Sequence, residues 1–138
     1  MRNLKLPAHV LFRKELSLIL WKPHGVLNEA VVNKVVAFVD TAEARAGAPF
    51  NRFVDLSALD AVDLNFRFVF EIALHRRLTH APLPPVKAAF YVTSQETTHY
   101  AKLHEMLTDY SSLDVDLFTE LEAAAKWLEV PVRALMLQ

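Results

Sequence analysis

Residues 16–22 (LSLILWK) form a nearly continuous apolar run, the pattern of a strand covered on both faces. Before it, residues 8–13 (AHVLFR) read as a shorter strand at a sheet edge, and Arg13, Lys14 and Glu15 as the polar turn between the two. Pro23, His24 and Gly25 break the run. The period then changes. Asn28 can cap a helix over residues 29–46, in which Val31, Val32, Val35, Phe38, Val39 and Ala42 share one face and Asn33, Asp40 and Thr41 lie opposite. Gly47 and Pro49 close it.

Residues 51–56 (NRFVDL) read as a second central strand, and 57–63 as an aspartate-rich connection. The next helix, about residues 64–79, has no single apolar stripe. Leu64, Phe68 and Ile72 share one side, and Phe66, Phe70 and Ala73 another; Arg76 and Arg77 at its end suit the helix dipole. After the prolines at 82, 84 and 85, residues 86–92 (VKAAFYV) form a strand. Thr93 and Glu96 make a capping box opening a helix to about Tyr110, whose apolar face holds Tyr100, Leu103, His104 and Leu107. Residues 114–118 form a short strand. Thr119 and Glu122 repeat the box before a last helix, 120–129, ended by Pro131, and the apolar tail 132–137 is expected to dock back.

Strands alternating with helices imply right-handed crossovers and an α/β fold. The expectation is a mixed, mostly parallel central sheet of about five strands with about four helices, the first strand pairing antiparallel at an edge. Length changes this little: 138 residues suit a single domain over residues 1–138. The chain is 53% hydrophobic and 22% charged, so a packed core is expected rather than disorder. Fifteen basic residues nearly balance sixteen acidic ones, which gives no global attraction for nucleic acid or an anionic membrane. With no cysteine there is no disulfide or thiolate chemistry. Arg2 and Lys5 precede an apolar run too short for a secretory signal, and no segment is long enough to span a bilayer, so a cytoplasmic location is expected.

Several segments together resemble the STAS superfamily, most closely its SpoIIAA-like branch of small stand-alone bacterial proteins. They are HGVLNEA (24–30), a turn into the first helix; RFVDLSALDAVDLN (52–65), a central strand and the loop after it; VKAAFYVT (86–93), the next strand; and DLFTELEAAAKWL (116–128), the closing strand and helix. The resemblance implies a regulatory or protein-interaction module. Phosphorylated antagonists of that family carry Asp-Ser-Ser-Gly before the second helix, where phosphate at a helix N-terminus alters partner binding. The matching residues here are Asp63-Leu64-Asn65-Phe66, and Leu64 has no hydroxyl to accept a phosphate. Ser57 is not an equivalent; its expected role is to satisfy loop backbone. The fold is also similar to lipid-exchange domains of the CRAL-TRIO kind, which implies an alternative: a carrier of an apolar small molecule or lipid in a helix-covered pocket, with the helix 64–79 and the tail as its walls.

Asp55, Asp60 and Asp63 stand near the end of a central strand, where open α/β sheets often bind ligands and where a hard cation such as magnesium would find oxygen donors. Turn and cap chemistry is the favoured reading of the same residues. Among six histidines, His75/His80 and His99/His104 are five apart, about 140° around a helix, so neither pair presents the shared face a metal needs. No nucleophile elbow or phosphate loop is present, and Ser94 reads as a cap or turn residue. The expectation is therefore a non-enzyme with no cofactor and no metal. Its candidate partner or ligand surface is Asp63, Asn65, Phe66, Phe70 and Arg77. Phe66 and Phe70 are either core or an exposed strip; the strip would serve an unidentified protein partner, a homodimer or an apolar ligand.

Overall fold

A computed structural model describes residues 6–80, 83–109 and 111–136. Arg2, Lys5, Pro82, Tyr110 and Leu137 lie outside the described residues, as does the side chain of His80. The elements run β1 (Val10–Arg13), β2 (Leu18–Trp21), β3 (Gly25–Asn28), α1 (Glu29–Ala46), β4 (Asn51–Asp55), β5 (Leu59–Asp63), α2 (Phe66–His80), β6 (Val86–Tyr91), α3 (Gln95–Leu107), β7 (Leu113–Phe118) and α4 (Leu121–Leu128). The main sheet has the order β1-β2-β4-β6-β7. β1 lies antiparallel at the edge and the other neighbours are parallel, the arrangement the alternation of elements predicts.

The two faces of this sheet carry separate cores. Side chains alternate across a strand, so Leu18, Leu20, Phe53 and Ala89 pack on one side against Ala124, Ala125 and Leu128 of α4. Leu135 joins them from a 3-10 turn, Val132–Leu135, held by Arg13, whose Nε donates to the Ala134 carbonyl at 3.0 Å. The tail docks back as expected, but on the α4 side of the sheet, so its described residues are not a wall of the space under α2. On the other side Ile19 meets Val35, Phe38, Val39 and Ala42 of α1, while Val54 and Val92 meet Ala101 of α3.

Local chemistry sets the helix ends. Asn28 caps α1 by accepting from Val31 N–H at 3.0 Å, and Gly47, at φ 72°, ends it by donating to the Glu43 carbonyl. Ser94, not Thr93, caps α3, accepting from Thr97 N–H at 3.1 Å. The Thr119–Glu122 box does not form either: Glu120 occupies the cap position of α4 without a side-chain bond.

Residues 59–63 are not a plain connection. They form β5, which pairs in parallel with β3 as a small second sheet, with Leu27 opposite Val62 and Asn28 opposite Asp63. Both strands are short and half exposed, so neither shows a long apolar run. Their pairing places the starts of α1 and α2 side by side.

Candidate functional site

The alternation that sends Phe53 toward α4 sends Arg52 toward α1, α2 and α3. Arg52 sits in the sheet interior, in register with Ile19 of β2 and Ala88 of β6. A side chain as small as Ala88 cannot fill the space between sheet and helices, and a cavity of about 150 Å³ remains there. Its walls are mostly apolar, with Trp21 and Phe90 from the sheet, Val36 from α1, and Phe68 and Ile72 from α2.

Four polar side chains also reach this wall: Arg52, Arg76, Tyr100 and His104. Arg52 donates from Nη2 to Glu43 Oε2 at 2.6 Å, and the same oxygen accepts from Phe50 N–H at 2.8 Å. Burial and the nearby Arg76 pull the Arg52 guanidinium down to about 10, still a cation at neutral pH. Arg76 donates to Asp40 Oδ1 at 3.1 Å, while His75 Nε2 lies 2.7 Å from Asp40 Oδ2. Both carboxylates belong to α1, so this helix supplies the counter-charge for β4 and α2. Tyr100 donates its hydroxyl to the Leu64 carbonyl at 2.7 Å.

His104 is half-buried and its ring meets Phe90 edge-on at 5.6 Å. Burial, and then the charges of Arg76 and Arg52, push its imidazole down to about 4. It is therefore neutral at physiological pH.

The five residues expected to form a surface separate into three places. Asp63 and Asn65 line a polar cleft with Asn28 and Glu29 at the paired starts of α1 and α2. Asn65 has a structural task there, accepting from Phe68 N–H at 2.8 Å as the cap of α2. Phe66 and Phe70, 61% and 43% exposed, stack at 6.4 Å on the outer side of α2, continued by Leu74 and Leu78. Ala73 does not share that side; it is buried with Phe68 and Val69. Arg77 turns away to the end of α3 and donates to the Asp109 carbonyl at 2.6 Å, whereas its neighbour Arg76 points inward. Thus α2 is covered on one side and bare on the other.

Asp55 is buried and accepts from both the N–H and the hydroxyl of Ser57, at 2.9 and 2.6 Å. This is the turn chemistry that the sequence favours. Asp60 and Asp63 are exposed on β5. Among the described residues no group of three or more His, Asp or Glu side chains is placed to hold a metal ion, and no helix is long and apolar enough to cross a membrane. His99 packs edge-on against Tyr100.

Nothing local in the sequence brings Arg52, Arg76 and His104 together. A signal for Arg52 was present: a cation inside the strand NRFVDL alternates with Phe53 and so faces one of two covered sides. The apolar spacing of α3 puts His104 on its inward face, but only tertiary structure brings it to Arg52 and Arg76.

No protein-family model matches the chain, and no curated protein does. Its structure is similar to that of an uncharacterized protein from the DUF3478 family with a SpoIIAA-like fold, from Shewanella loihica PV-4, with a TM-score of 0.53 and 16% identity over 80% of this chain and 83% of that one. The strand order, the antiparallel edge and this similarity agree: the chain has the SpoIIAA-like fold.

Proposed function

We propose that this STAS-like domain is a binding module, not an enzyme, and that it holds a small apolar molecule between its sheet and helices α1–α3. The observation that carries the reading is the cavity. By the penalty measured for engineered voids, about 150 Å³ left empty forfeits roughly 3–4 kcal/mol of packing. A ligand would recover much of that. An apolar void of this size accepts benzene, so the cargo is a molecule of about that bulk rather than a complete lipid.

Native mass spectrometry of the freshly purified chain tests for retained ligand. Uptake of toluene can be followed by fluorescence of Trp21, which lines the cavity, in a Trp127→Phe background, since Trp127 packs against Phe118 on the opposite side of the sheet. Ile72→Phe should fill part of the space, leave stability unchanged or raised, and abolish uptake. Undiminished uptake by folded Ile72→Phe would place the ligand elsewhere.

A second reading is favoured by the bare side of α2. Phe66, Phe70, Leu74 and Leu78 form a four-residue apolar strip, the kind of surface that marks protein interaction sites. The module would then engage a protein partner or a second copy of itself without a phosphoserine switch at Leu64. Phe70→Asp should leave the fold intact and abolish association seen by light scattering. Association retained by that variant removes α2 as the interface.

A further inference from the structure

Resting on the proposed apolar site, we infer that the molecule it takes is a small monocarboxylate, with its hydrocarbon part among Val36, Ile72 and Phe90 and its carboxylate against Arg76 and His104. The first reason is the distribution of charge. Two guanidiniums line the cavity, and among the described residues no acidic side chain lines it. Glu43 and Asp40, which balance those cations, come from α1 and stand outside the lining.

The second reason is unused hydrogen-bonding capacity. Arg76 is buried, yet its hydrogen bonding among the described residues is confined to Nη1, which donates to Asp40. The ring nitrogens of His104 have no hydrogen-bond partner among the described residues. A neutral imidazole offers one donor and one acceptor, and a guanidinium offers five donors in a planar fork suited to a carboxylate. These groups face the open space of the cavity with donors that the protein itself does not use, and a carboxylate accepts from both.

The third reason is the local potential. Arg52 and Arg76 both oppose protonation of His104, so the space beside the ring favours negative charge. A carboxylate placed there would offset that effect. Volume then limits the rest of the molecule to about the size of a benzene ring or a short branched chain.

Calorimetry on the full chain with benzoate, benzamide and toluene separates this inference from the reading beneath it. Benzoate should bind at least tenfold tighter than benzamide. Arg76→Met should reduce that preference to less than twofold while toluene binding persists. In the wild-type protein, saturation with benzoate should raise the His104 midpoint, followed by ring proton NMR, by at least one pH unit, and toluene should leave it in place. Should Arg76→Met fail to fold, the His104 midpoint alone locates the carboxylate. Toluene bound as tightly as benzoate, with no movement of His104, overturns the carboxylate and leaves the apolar site standing. No binding of any of the three overturns both.

Discussion

Acidification should weaken this fold through His104. The imidazole titrates at 6.5 in an unperturbed chain and at about 4 in the folded protein. The unfolded state therefore takes up a proton first as pH falls, and stability declines from about pH 6.5 downward until the folded form also protonates near pH 4. At pH 5 nearly all unfolded molecules and only about a tenth of folded ones carry the proton, which corresponds to a loss of about 2 kcal/mol relative to pH 7.5. The full effect, reached below pH 4, is about 3 kcal/mol.

Urea denaturation of the wild type and of His104→Leu across this range isolates the contribution. Other acids and bases, including the Asp40–His75 pair, are common to both proteins and cancel in the difference. Arg52 and Arg76, the charged groups nearest the ring, stay protonated throughout. The leucine variant should lose about 2 kcal/mol less than the wild type between pH 7.5 and 5. Equal losses in the two proteins would refute the argument, as would a His104 ring that titrates near 6.5 in the native state.

Two further outcomes follow from the buried charges and the backbone. Glu43→Ala strands Arg52 and the Phe50 N–H and should cost about 3–5 kcal/mol, whereas Glu43→Leu combined with Arg52→Met strands only the Phe50 N–H and should cost about 1–3 kcal/mol; chemical denaturation reads both. Glu129 ends α4 at φ 61°, and its carboxylate, 83% exposed, meets Lys87 only at 3.7 Å. Glu129→Gly should therefore stabilise the protein by about 1 kcal/mol, seen as a raised melting temperature.

The sheet and its edge strand were legible because their signals are local. An apolar run such as LSLILWK, a proline break and a change of period each follow from a few neighbouring residues. The pair β3–β5 was not legible, because its two half-exposed strands lie far apart in sequence and each becomes a strand only by pairing with the other. The same distinction divides the site. The two-sided character of α2 was visible in its apolar spacing, but which side would be covered depended on α3 and the sheet. The cavity was invisible for a stronger reason: it is what remains when Ala88, Val36 and Ile72 fail to meet, and no single residue encodes an absence of contact.

The charged layer on the same side of the sheet can be weighed against packing alone. A buried ion pair is often no more stabilising than apolar groups of equal volume. Beyond the acceptor it offers the Phe50 N–H, Arg52–Glu43 therefore gives the fold little that a methionine and a leucine would not. Packing alone gives as little account of Arg76, buried with a single nitrogen hydrogen-bonded among the described residues, or of His104, held neutral beside two cations. These groups share one wall of one cavity and come from three different elements, whereas on the opposite side, around Leu18, Leu20, Phe53 and Ala124, the polar side chains are paired with backbone, Lys87 with the Trp127 carbonyl and Arg13 with the Ala134 carbonyl. A layer built only for stability would resemble that opposite core. The difference between the two sides of one sheet is the physical reason to look for the ligand among Arg52, Arg76 and His104.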